Sequence, residues 1–439
     1  MPAPDDFGAI LRRAQAERRL PSLSAAVAHG GEVVWADVAG LADVEQEREA
    51  TTDDQYMVGS ITKTFTAAAV LQLVEAGEVD LDDPLERHLP GAAHGSTRIG
   101  RMLSHISGLQ REPGEMWETL DFPSREELVA GLGEAEQVLA PGERWHYSNL
   151  AFALLGEIVA RRSGLEYDRY VEERLFEPIG LRRTTWRRAD PAARGYYVAP
   201  YDDIVHPEPT VDKRAFAAAG ALWSTPSDLC RWAAFLIDPD EAVLSRASVE
   251  SMRELQVMAE TARWTLGYGR GLQLVRDGDR VFAGHGGATI GFRAGFLFAP
   301  EQRIAAAALA NSGTTMELDV ALELIRAALE GDRVAPEAWR PREPAPPDVA
   351  GLLGQWWSEG EEVLLRYVGG RLEARGAGSA AWLPPTVLEP DGPDRYRVVS
   401  GPERGERMRV VRDADGTPVK LYLATYPLTR EPRAFGDRG

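Results

Sequence analysis

Segments that read as short apolar strands sit at both ends of the first 330 residues, and the stretch between them reads as helices. Near the start, Leu23–Ala28 and Val33–Val38 flank a Gly30-Gly31 turn, the pattern of a hairpin. After residue 265, Gly271–Arg276, Arg280–Ala288, Gly291–Ala299 and Arg303–Ala310 follow one another. Turn signals at Asp277-Gly278, Ile290-Gly291 and Pro300-Glu301 separate them, and residues 317–330 read as a closing helix. Such a chain builds one sheet from both ends of a domain, with a helical insertion over about 80–215. The expected class is α/β (α+β), a sheet flanked by helices rather than a run of βαβ units.

This first domain is expected to occupy residues 1–335. A stretch rich in proline (Pro336, Pro341, Pro344, Pro346 and Pro347) reads as a semi-rigid linker over 336–347. Beyond it, Val363–Val368, Arg371–Ala374, Tyr396–Val399, Met408–Arg412 and Val419–Leu423 alternate in the manner of strands. With turns at Gly369-Gly370 and Asp415-Gly416, residues 348–432 predict a small antiparallel sheet or barrel.

The net charge is −19, from 68 acidic and 49 basic residues. An acidic surface of this size argues against nucleic acid or an anionic membrane as partner. No basic segment followed by an apolar core opens the chain, and no apolar run approaches membrane-spanning length, so a cytoplasmic location is expected. Cys230 is the only cysteine, which rules out an internal disulfide and a cysteine-based metal cluster. His29, His88, His94, His105, His146 and His206 lack metal-ligand spacing, so no metal is expected.

Lys63, Lys213 and Lys420 are the only lysines; every other side-chain cation of fixed charge is arginine. A retained lysine draws notice, because lysine can lose its proton inside a protein and arginine cannot. Lys63 closes the motif Ser60-Ile61-Thr62-Lys63, at the start of a helix expected from Ser60 to Glu75 and stopped by Gly77. Residues three apart on a helix lie one turn from each other on one face. The serine oxygen and lysine nitrogen can then meet, and a neutral lysine can take the serine proton. Val58, Phe65, Ala67, Ala68, Ala69, Val70 and Leu71 make this helix apolar nearly all round, so it is expected to be buried.

Tyr147-Ser148-Asn149 precedes a second helix, in which Ser148 or Asn149 serves as the cap. In an extended segment, positions two apart point the same way, which sends a phenol and an amide into one cleft. By itself the pattern fits a cap beside a core aromatic equally well. His285-Gly286-Gly287 lies on an expected strand, where two glycines leave backbone open to close approach. A lone strand histidine is otherwise a structural residue.

In this order, the three motifs resemble the superfamily of class C β-lactamases, esterases and D-stereospecific peptidases, penicillin-binding proteins included. Val58–Ala67 resembles its nucleophile helix. Leu81–Leu85, Met102–Leu109, Pro141-Gly142, Ala219–Thr225 and Gly284–Gly287 match further stretches over roughly residues 5–330. The resemblance implies a two-step acyl transfer with Ser60, Lys63 and Tyr147 as catalytic residues. It implies that Asn149, His285, Gly287 and Ala288 contact the substrate, with the N–H groups of Ser60 and Ala288 holding the oxyanion. It implies no cofactor, and a small molecule or short peptide as substrate. The C-terminal segment resembles a lipocalin-like barrel through Leu353–Trp356, Gly370–Leu372 and the Asp415-Gly416 turn.

Dedicated β-lactamases of this kind carry Lys-Thr-Gly at the third motif. Here His285 replaces the lysine and Gly286 the threonine, which favours an esterase or peptidase that cleaves a small ester or amide. The alternatives are a β-lactamase or D-Ala-D-Ala carboxypeptidase, and a sensor that is acylated without turnover. The oligomeric state is left open.

Overall fold

The computed structural model describes residues 4–199, 204–313, 317–331, 345–358, 361–368, 370–377 and 384–432. The chain divides into two compact units, Met1–Arg333 and Val334–Gly439.

The first unit contains a nine-stranded antiparallel sheet. Its strands in chain order are β1 (Ser22–His29), β2 (Glu32–Asp43), β3 (Arg48–Glu49), β4 (Val257–Glu260), β5 (Leu266–Tyr268), β6 (Gln273–Asp277), β7 (Arg280–Thr289), β8 (Phe292–Ala299) and β9 (Ile304–Ala310). Their spatial order is β3-β2-β1-β9-β8-β7-β6-β5-β4. The expected closure of one sheet from both ends occurs at β1 and β9, which pair antiparallel from Leu23↔Ala310 to His29↔Ile304.

Strand β9, Ile-Ala-Ala-Ala-Ala-Leu-Ala, is buried along its whole length. Alternation sends Ala306, Ala308 and Ala310 to one face and Ala305, Ala307 and Leu309 to the other. On the first face they meet α1 (Pro4–Glu17) through Phe7 and Leu11, and a C-terminal helix (Glu317–Gly331) through Val320, Leu324 and Ile325. On the second face they join a larger core with α2 (Thr62–Glu75), α3 (Asn149–Ser163) and α4 (Pro226–Ile237). The small alanine side chains allow helices to pack closely on both faces.

Helix α2 is buried all round, as its composition requires: every residue from Thr62 to Leu71 is buried. Phe65 stacks on Trp232 of α4 with ring centroids 4.2 Å apart. The helix does not begin at Ser60. Gly59–Ile61 form a 3₁₀ turn, and the α-helix starts at Thr62. Between residues 80 and 215 the expected short helices are present, together with a hairpin, Tyr196–Val198 with Val205–Pro207, that composition did not signal.

The second unit holds a closed eight-stranded barrel. Each strand pairs antiparallel with the next in sequence, and the circle closes where Trp357 meets Thr429. Three strands were not anticipated: Gly354–Ser358, Thr386–Pro390 and Tyr426–Thr429. Trp356, Leu365, Leu372, Leu388, Val398, Met408, Leu421 and Leu428 fill its core. Most of the expected linker, residues 336–344, lies outside the described residues, as does Gly369 of one expected turn. Pro347 opens a one-turn helix, Pro347–Ala350. Among the described residues, no helix is long and apolar enough to cross a membrane.

Candidate active site

The site begins where the 3₁₀ turn enters α2. Gly59 has φ +50°, and a Cβ there would lie 2.8 Å from the Ala288 carbonyl oxygen. A Cβ on Gly287 would fall 1.9 Å from the Val58 carbonyl oxygen. Glycine at both positions therefore lets the end of β7 press against the turn that carries Ser60. The close approach that Gly287 permits is made by protein backbone at Val58. On the other side, Tyr56-Met57 pairs antiparallel with Trp223-Ser224, and the Val58 N–H donates to the Leu222 carbonyl at 2.9 Å. This pairing carries residues 219–222 alongside α2.

Lys63 has no solvent exposure, and its Nζ lies 3.2 Å from Ser60 Oγ. An Nζ–H donates to the Ala219 carbonyl at 2.6 Å. Burial holds the amine well below its ordinary pKa, and the positive charges of Lys213 and Arg111 push it further down; Glu112 acts the other way. Both effects bias Lys63 toward its neutral form, the form that can accept a proton.

Tyr147 is half-buried beside it, with its ring centroid 4.9 Å from Lys63 Nζ. The ring packs on His105 at 4.1 Å, and His105 Nδ1 accepts the Ser148 N–H at 3.1 Å. Burial, and then Lys63 to the extent that it is protonated, hold His105 well below the usual histidine value, so it is a neutral wall for the phenol. Ser148 is the cap of α3, its Oγ accepting the Ala151 N–H at 3.0 Å. Asn149 is the first residue of that helix, and its Nδ2 donates to Glu112 Oε1. Ser60, Asn149 and Ala288 line one cleft, joined there by Glu112, Trp117 and Lys213.

His285 is only 1% exposed and has both nitrogens engaged. Nε2 pairs with the Tyr268 hydroxyl at 2.9 Å, and Nδ1 with the Gly286 carbonyl. Because a carbonyl only accepts, Nδ1 carries the proton and Nε2 takes the one from Tyr268. Burial, with help from Lys63, lowers its pKa to about 3, so the ring is neutral. His285 supports Tyr268 and, with ring centroids 6.4 Å apart, Tyr147; it has no nitrogen left to offer the cleft. Its expected direct contact with substrate is accordingly replaced by a buttressing position.

The sequence motifs did not point to Glu112, Tyr268 or the place of Lys213 in the cleft. For Lys213 a signal existed, since it is one of three lysines kept in the chain. Among the described residues, no group of three or more His, Cys, Asp or Glu could hold a metal ion.

The family described as β-lactamase matches residues 7–330. The chain belongs to the β-lactamase family. Members include an esterase, a D-amino acid amidase and a D-alanyl-D-alanine carboxypeptidase/endopeptidase, so this is a family of serine hydrolases. Penicillin-binding protein 4 of Amycolatopsis lactamdurans is 32% identical over 336 residues, 71% of this chain and 86% of that one. The octameric penicillin-binding protein homologue of Pyrococcus abyssi superposes with a TM-score of 0.67 at 25% identity, over 97% of this chain and 99% of its own. A D-stereospecific amidohydrolase from Streptomyces sp. superposes with a TM-score of 0.63 at 27% identity, over 76% of this chain and 99% of its own. Residues 345–430 match a family described only as a domain of unknown function, DUF7586.

Proposed function

We propose that this β-lactamase-family chain cleaves a small ester or amide through an acyl-enzyme on Ser60. The reading is supported by one observation: a serine oxygen stands 3.2 Å from a fully buried amine, whose charged form burial disfavours. The Ser60 hydroxyl donates its proton to the Lys63 lone pair as its oxygen attacks the carbonyl carbon. The negative charge that develops is received by the N–H groups of Ser60 and Ala288, whose backbones adjoin at the glycine contact described above. Tyr147 relays a proton to the leaving group, and the Asn149 amide engages the substrate beside it. Water then enters and releases the acyl group by the reverse proton path.

An esterase or amidase role is preferred over β-lactam hydrolysis because the neutral, internally bonded His285 stands where a fixed cation would be. The test is burst release of p-nitrophenol from p-nitrophenyl acetate, with mass-spectrometric mapping of a fluorophosphonate label. The expected result is a stoichiometric burst and a label on Ser60. A native protein that takes up no label at Ser60 overturns the reading.

A further inference from the structure

Two buried amines lie at the cleft, Lys63 behind Ser60 and Lys213 in its lining, and the proposed acyl transfer uses only Lys63. The other, Lys213, is 5% exposed and lines the cleft together with Ser60, Asn149 and Ala288. Its Nζ donates to the Gly220 carbonyl at 2.7 Å and to Thr289 Oγ1 at 2.8 Å. An ammonium has three donors, and among the described residues Lys213 meets only these two acceptors, both neutral. The nearest acid in the cleft is already engaged: Glu112 pairs with Arg111 Nε at 3.5 Å and accepts from Asn149 Nδ2. The Trp117 ring, 5.6 Å from Nζ, adds a weak cation–π contact and no countercharge.

Glu112 favours the Lys213 charge at a distance, but among the described residues no acid forms an ion pair with it. A buried charge without a contacting counterion is costly, and a cleft that keeps one is suited to a ligand that supplies the opposite charge. The position is fixed by close packing, since a Cβ on Gly220 would stand 3.3 Å from Nζ. We propose that Lys213 is a specificity-determining residue that receives a carboxylate of the substrate cleaved at Ser60, on the acyl or the leaving-group side of the scissile bond. The proposal rests on Ser60 as the nucleophile. Burial lowers the Lys213 pKa, opposed by Glu112, to about 8, which leaves the side chain mostly protonated at pH 7.

Two pairs of esters test this. p-Nitrophenyl hydrogen glutarate against p-nitrophenyl pentanoate places a carboxylate on the acyl side. 3-Carboxyphenyl acetate against phenyl acetate places it on the leaving group. In the wild-type protein at least one pair is expected to favour the anionic ester in kcat/KM by about tenfold or more, chiefly through KM. Lys213→Met should reduce that preference by a similar factor. Any effect of the substitution on Lys63 alters both esters of a pair and cancels in the ratio. Should Lys213→Met fail to fold, Lys213→Gln keeps a donor for Gly220 and Thr289 without the charge. No preference in either wild-type pair, or a preference that survives loss of the charge, overturns the proposal. Turnover of the neutral esters and labelling of Ser60 report separately on the nucleophile.

Discussion

The two units bury different kinds of side chain. In the first, Lys63, His105, Lys213 and His285 are all at most 5% exposed. In the barrel, among the described residues, Thr386 is the single polar side chain in the buried set; the rest are apolar or aromatic. Desolvating an amine or imidazole costs folding energy, whereas burying leucine and valine provides it. Folding alone accounts for the barrel interior. It does not account for four titratable groups in the first unit, three of which electrostatics couples directly to Lys63. Concentrated perturbation of this kind is the pattern expected where the proposed chemistry takes place.

The contrast can be broken at several points. Ser60→Ala is expected to reduce ester hydrolysis by about a thousandfold or more while leaving thermal unfolding nearly unchanged, since Ser60 is only half-buried. Rates near wild type would remove the nucleophile from the first unit. Lys63→Arg should cost about a hundredfold or more in kcat, because a guanidinium cannot take the serine proton. A stopped-flow burst of normal rate in that variant would count against Lys63 as the base.

Core truncations sharpen the comparison by treating both units alike. Trp232, stacked on Phe65, and Trp356, whose Nε1 donates to the Leu352 carbonyl at 2.7 Å, are both fully buried. Replacing either by alanine should cost about 3–5 kcal/mol in urea unfolding, by loss of burial and creation of a cavity. A cost below about 1 kcal/mol for Trp356 would mean that the barrel core packs more loosely than its geometry indicates.

A pH profile examines the electrostatics. The Lys213 charge lowers the Lys63 pKa, so Lys213→Met should let it rise. Neutral Lys63 then requires more alkaline conditions, and the acid limb of kcat/KM on a neutral ester moves to higher pH. A shift toward lower pH would contradict the assigned coupling; the remaining charges acting on Lys63 are Arg111 and Glu112. The smallest effect is expected at Cys230, which is fully buried, with its thiol pushed up to about 12 by burial and its Sγ 3.4 Å from the Ala26 carbonyl oxygen. Cys230→Ser should leave kcat unchanged, and native protein should resist Ellman's reagent.

Much of this molecule is legible in its amino-acid sequence. Alternation and turn signals located the strands that join β1 to β9, and an all-round apolar run located α2. The Ser60–Lys63 contact could be read from spacing because a single helical turn fixes the distance between positions three apart. The start of the helix was less clear, since the 3₁₀ turn at Gly59–Ile61 depends on contact with β7 rather than on local propensity. Three barrel strands also went unread. Gly354–Ser358 and Thr386–Pro390 carry glycine or proline at their ends, and Tyr426–Thr429 is only four residues long.

The strands, the buried helix and the serine–lysine pair follow from local patterns along the chain, each set by periodicities within a few residues. The inward turn of His285 to Tyr268, and the entry of Lys213 into the cleft that Ser60 lines, arise from the assembled fold. Those placements depend on long-range pairing, such as Tyr56-Met57 with Trp223-Ser224, whose register no local pattern encodes. Helix geometry acts over one turn of chain, whereas a cleft is assembled from segments that meet only once the core has closed.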